Sequence, residues 1–240
     1  PGGNSRYIYR EATSGNIANG TGTLANIGRV LYIDSGNKIH FNTAYSASTG
    51  GFKYDQYYKD LDDVPNWPGH EKPFHLVVSH TGVNNVFDAT SFWIDGVLIQ
   101  DVTASRGTGT GVLTQNPPDE IILLNSKVGG TDTLWGTSGA SFIDDIGLLN
   151  TTASQAAATA LYNCGTQVSI PSLYGIMTSA SIAQYWDFQG SSISTGDVIA
   201  GAGSAPLDLT VRNTSAAMAL ASGSEGAAPI SLATATIHLT

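Results

Sequence analysis

At 240 residues the chain is long enough for one large β domain, or for a domain with an appendage. Only 12% of residues are charged, and ten Lys and Arg against nineteen Asp and Glu leave a net charge of −9 with no basic cluster, which argues against nucleic acid or any other polyanion as a partner. No run of about 18 apolar residues exists, so no membrane span is expected, and 28 glycines among many Ser, Thr and Asn suit short strands joined by turns.

The opening Pro1-Gly2-Gly3, without Met or a secretion signal, suggests a fragment or a processed product. Arg6 to Arg10 (RYIYR) alternates polar and apolar residues, as an antiparallel strand does. Arg29 to Phe41 places two apolar runs around Asp34-Ser35-Gly36-Asn37 and reads as a hairpin. From Tyr45 onward, aromatic residues are followed by Asp60-Leu61-Asp62-Asp63 and the proline-punctuated stretch 64–73. Because proline donates no ladder hydrogen bond, this whole segment is predicted to be a long surface loop rather than a central strand.

Phe74 to Ser79 (FHLVVS) predicts a strand. In Ser91 to Asp101, Phe92-Trp93-Ile94 and Val97-Leu98-Ile99 flank Asp95-Gly96, the strongest short-range hairpin signal in the chain, since a type I′ turn needs positive φ at both central positions. Glu120 to Asn125 and Ser141 to Asn150 predict further strands. Thr152 to Tyr162 then changes period, and its alanines and the Ser154 cap predict a short helix. The lone Cys164 cannot form an intrachain disulfide and reads as a small buried hydrophobe.

In this order, FHLVVSHTG (74–82), FWIDGVLIQ (92–100), IILLNSKVGG (121–130), FIDDIGLLN (142–150) and ALYN (160–163) resemble the laminin-G-like, concanavalin-A-like jelly-roll domains. The family's usual Trp ahead of the His strand is replaced here by Pro73-Phe74. The resemblance covers roughly Arg6 to Asn163 and implies an all-β, two-sheet antiparallel β-sandwich with one short helix, in a family better known for recognition than for catalysis. The expected jelly roll occupies 1–165. Residues 166–240 contain SIAQYWDFQ (181–189), PLDLTVRN (206–213) and ISLATATIHL (230–239), which either complete that sandwich, open a partial second jelly roll, or form an arm exchanged with a neighbouring subunit.

Chemistry is sparse. Glycosidases of this architecture carry E-x-D-x-E on one strand face, and Glu11, Glu71, Glu120 and Glu225 do not have that spacing. Asp144 and Asp145 are adjacent and would point to opposite faces. The five histidines lack zinc-pair spacing and read as structural or solvent-facing. Trp93 and Trp186, inside strands, read as core. Asp60, Asp62 and Asp63, with Asp55 nearby, offer hard oxygen ligands for calcium, or simply form a solvated acidic loop; no other cofactor is expected. Trp67, with Asn66, Tyr57 and Tyr58 near it, is the candidate sugar contact: a ring on a proline-stiffened loop can stack on a sugar while Asp and Asn bond its hydroxyls.

The expected function is therefore a non-catalytic structural or recognition module. By analogy it resembles bacteriophage virion surface components such as tail fibres or capsid decorations, homo-oligomeric, contacting other virion or surface proteins and a cell-surface glycan, with an extracellular or virion-surface location. The alternatives are a carbohydrate-active enzyme or its glycan-binding domain, and a bacterial surface adhesin.

Overall fold

The computed structural model describes residues 6–12, 27–47, 51–65, 67–69, 72, 74–82, 89–106, 120–123, 126–128, 131–133, 142–143, 146–162, 181–186, 192–193, 197–214, 218–220, 230–231 and 235–239. In chain order the strands among them are β1 (Arg6–Ala12), β2 (Ile27–Ile33), β3 (Lys38–Ala47), β4 (Gly51–Asp60), β5 (Leu76–His80), β6 (Thr90–Ile94), β7 (Val97–Leu98), β8 (Thr103–Arg106), β9 (Glu120–Leu123), β10 (Ser126–Val128), β11 (Thr131–Thr133), β12 (Phe142–Ile143), β13 (Ile146–Leu149), β14 (Ile182–Trp186), β15 (Ser192–Ile193), β16 (Val198–Ile199), β17 (Leu209–Thr214), β18 (Met218–Leu220), β19 (Ile230–Ser231) and β20 (Ala235–Leu239). One helix, α1 (Gln155–Tyr162), interrupts them. No described helix is long and apolar enough to cross a membrane.

The protein is all-β and antiparallel. Its largest sheet has the order β16-β17-β20-β9-β1-β2-β3-β4-β8, so strands from both ends of the chain share one hydrogen-bonded surface. A second sheet, β5-β6-β7, lies against it. Alternation along each strand decides what goes inward. Leu31, Ile33, Ile39, Phe41 and Tyr57 from the large sheet meet Phe92, Ile94 and Ile99 from the smaller one in a single core. On the other face of the small sheet, Val77 and Trp93 pack against Ala158 of α1. Leu161 continues from there to Ile182 and Tyr185 of β14.

The turns fix this arrangement. Asp95 (φ 51°) and Gly96 (φ 74°) are both left-handed, as the type I′ turn requires, and Ile94 pairs with Val97 across it. Between β2 and β3, the Asn37 N–H donates to the Asp34 carbonyl (3.2 Å), the Asp34 N–H donates to the Lys38 carbonyl (2.9 Å), and Asn37 sits at φ 61°. The loop is thus three residues long and locks Ile33 opposite Ile39. Helix α1 begins where the sequence places its cap, with the Ala157 N–H donating to Ser154 Oγ at 3.1 Å.

One expectation is corrected. Residues 51–60 are not part of a surface loop but form β4, a strand between β3 and β8. The prolines start only at Pro65, beyond its end, and the preceding residues keep the two-residue period: Asp55 and Tyr57 are buried while Gln56 and Tyr58 are half-buried on the opposite face. Toward the C-terminus, Ala202 exchanges backbone hydrogen bonds with Tyr185 (2.7 and 2.9 Å). The Leu207 carbonyl accepts from Gln184 Nε2 (3.0 Å) and Trp186 Nε1 (2.8 Å), which holds the 197–209 segment on β14.

Candidate functional site

The acidic segment is a folded turn. A 3-10 turn (Leu61–Asp63) follows β4, with Asp60 as its cap: Asp60 Oδ1 accepts from the Asp62 N–H at 3.1 Å. Asp62 Oδ1 accepts from Asn37 Nδ2 at 2.5 Å, and the Leu61 N–H donates to the Asn37 carbonyl at 3.0 Å, so this turn is tied to the β2–β3 hairpin. Asp63 is exposed. Among the described residues no group of three or more His, Cys, Asp or Glu is arranged to hold a metal ion.

The aromatic candidates are dispersed. Trp67 lies edge-to-face with Phe74 at 4.8 Å and packs against the core. Tyr57, 1% exposed, is itself core and does not reach the surface a ligand would meet. Its neighbour Tyr58 points the other way, as adjacent residues of a strand must. Asn66 lies outside the described residues, as do Asp144, Asp145 and Cys164. Trp93 and Trp186 are core, 4% and 0% exposed.

A different constellation forms where Tyr58 does point, on the face of β2, β3 and β4 turned away from the core. Register places Tyr32, His40 and Tyr58 side by side in one row across the three strands. The Tyr32 and His40 rings stack at 4.5 Å and 3°, and the His40 and Tyr58 rings at 5.5 Å and 26°. Lys38 Nζ sits 5.9 Å from the Tyr58 ring centroid. Gln56 Nε2 donates to His40 Nδ1 (3.1 Å) and to the Tyr32 hydroxyl (3.3 Å). With Nδ1 accepting, the ring proton falls on Nε2, which donates to Asp34 Oδ2 at 2.9 Å.

Asp34 anchors this row to the hairpin, because its Oδ1 also accepts from the Gly36 N–H (2.9 Å) and the Lys38 N–H (3.0 Å). Burial alone would raise its carboxyl, but those two N–H groups and His40 outweigh it and hold the pKa below the ordinary value. The result is a ladder of three rings, face against face, in which His40 is buried between Tyr32 and Tyr58 with both nitrogens paired, while Tyr32, Gln56, Tyr58 and Lys38 each stay half-buried. Such a surface suits contact with hydroxyl groups more than charge-based capture. His40 is the residue that sequence reading left without a role. The signal that finds it is the 34–37 turn, which sets Tyr32 opposite His40 as soon as the loop length is known.

Fold and ladder together define an antiparallel all-β protein with one short helix and an aromatic-polar sheet face. No protein-family model, no curated protein and no solved structure matches the chain.

Proposed function

We propose that this chain is a non-catalytic recognition module that uses the Tyr32–His40–Tyr58 face to bind a hydroxyl-rich ligand, a surface glycan being the class that fits. The carrying observation is the ladder itself: rings preset by their neighbours lose little freedom on binding, and Gln56, Lys38 and the tyrosine hydroxyls supply donors and acceptors at its rim. Around it the carboxylates of Asp34, Asp60 and Asp62 are all engaged in hydrogen bonds within the fold, which favours binding over bond cleavage.

The jelly-roll reading, with residues 166–240 completing the sandwich of 1–165, is supported by the pairing of β20 with β9 and of β9 with β1. A virion-surface or extracellular setting, in a homo-oligomer, is part of the same proposal and rests on analogy with bacteriophage surface components. The test is a glycan array on the purified chain, read beside a reducing-end assay and light scattering. Binding that Tyr58→Ala weakens about tenfold, with unchanged circular dichroism, is the expected result. Release of reducing ends, or an array signal untouched by Tyr58→Ala and Tyr32→Ala, overturns the proposal.

A further inference from the structure

The β5-β6-β7 sheet lies between the large sheet and α1, and β5 turns a histidine toward each of them. Leu76, Val78 and His80 share the face toward the large sheet: Leu76 and Val78 pack on the central core, and the His80 ring lies 5.8 Å from both the Phe41 and the Tyr57 rings. His75, Val77 and Ser79 have the opposite parity. Val77 packs with Ala158, Ser79 Oγ accepts from the Ala153 N–H at 3.0 Å, and the His75 ring lies 6.0 Å from the Tyr162 ring of α1.

Neither ring has a place for a second proton. His80 Nδ1 accepts from the Gly82 N–H at 2.9 Å, so the neutral ring carries its proton on Nε2, which is enclosed and has no partner. Protonation would turn Nδ1 from acceptor into donor and set it against the Gly82 N–H, breaking the bond that closes the turn after β5. His75 Nδ1 is also enclosed without a partner, so a charged ring there holds an N–H that nothing accepts. The charged neighbours do not repair this. His80 feels Arg29 of β2 against Asp55 of β4, and the Asp95 carboxylate beside His75 already accepts from the His75 backbone N–H through Oδ1 at 2.8 Å. His40 is the contrast, because a charged ring there would meet Asp34 Oδ2 at 2.9 Å.

We propose that β5 is an acid-operated latch: protonation of His80 on one face and His75 on the other frees the β5-β6-β7 sheet from the two layers that enclose it, while the large sheet keeps its strand pairing. Tight packing is what makes the latch sensitive, since neither contact can admit a charge and its partners without opening. Burial lowers the pKa of both histidines, that of His80 to about 4, so the open form takes up protons first. The latch is fully closed above about pH 6.5 and loses this contribution as the pH falls toward 4. The ladder lies on the outer face of β2–β4, so the device stands whatever that face binds.

Hydrogen exchange on the full chain, corrected for the intrinsic exchange rate at each pH, tests it. Between pH 7 and pH 4.5 protection in β5 and β6 should fall about tenfold or more, and at pH 4.5 it should be at least about tenfold below that of β2 and β3. Return to pH 7 should restore it. A variant carrying His75→Phe and His80→Asn keeps a ring beside Tyr162 and an acceptor for Gly82 but cannot titrate, so its protection in β5 and β6 should change less than about threefold over the same range. Three results overturn the latch: wild-type β5 and β6 hold their protection at pH 4.5, β2 and β3 are no better protected there than β5 and β6, or the double variant loses protection as wild type does. The first two are read on wild type alone, so they decide the matter even where the variant fails to fold.

Discussion

His80 makes the folded protein sensitive to acid in a defined window. The ring, carried by β5, packs against the Phe41 and Tyr57 rings of the large sheet, near Arg29, and its Nδ1 already accepts from the Gly82 N–H. Burial, then Arg29, lower its pKa to about 4 against an opposing attraction from Asp55, whereas in the unfolded chain the ordinary value of about 6.5 applies. The unfolded state therefore takes up the proton first. Stability is fully present above pH 6.5, declines as the pH falls, and has lost the whole contribution below about pH 4. A gap of about 2.5 pH units at about 1.4 kcal/mol each would be worth about 3 kcal/mol, and partial solvent contact reduces this to about 1–2 kcal/mol. Urea unfolding at pH 7.5 and pH 5, on wild type and His80→Asn, measures it. Asparagine keeps an acceptor near Nδ1 and does not titrate. His75, whose pKa burial also lowers against the pull of Asp95, contributes equally to both proteins and cancels in the difference. The variant should show the smaller loss of stability between the two pH values, by about 1 kcal/mol. Parallel pH profiles for the two proteins would refute the reasoning.

Two further substitutions probe the joint between α1 and the β6–β7 turn. Gly96→Ala should destabilise by at least about 1 kcal/mol in urea unfolding, because the position needs φ 74° and an added Cβ would lie 3.2 Å from the Thr159 Cα and 3.3 Å from Tyr162. Gln155→Ala should cost about 1–3 kcal/mol by the same measurement. Its Oε1 accepts from Trp93 Nε1 (3.0 Å) and its Nε2 donates to the Gly96 carbonyl (2.6 Å), so removing it leaves an indole N–H that is buried and unmatched.

What could be read from the chain is what chain neighbours decide. Asp95-Gly96 and the 34–37 loop need specific backbone angles, Ser154 needs only the N–H three residues on, and each is found where the sequence puts it. The strand at 51–60 was obscured because the acids and prolines after it dominate the composition of the window, although its own alternation was intact. Gln155 reads as an ordinary first-turn helix residue. Its role depends on Trp93, 62 positions away, and no local pattern carries that. The ladder falls between these cases. Tyr32 and His40 follow from one hairpin, but Tyr58 joins them only when 51–60 is a strand, and a loop at 51–60 would leave Trp67 as the exposed-aromatic candidate instead.

Strand alternation explains why the ladder and the inner core row lie on the same three strands. Each of β2, β3 and β4 has one face committed to the core and one turned outward, and burial of side chains such as Ile39 and Phe41 makes the register stiff. A one-residue slip would exchange the Tyr32–His40–Tyr58 row with the Leu31–Phe41–Tyr57 row and expose the core, so the ladder is held in place by a cost paid elsewhere in the same strands.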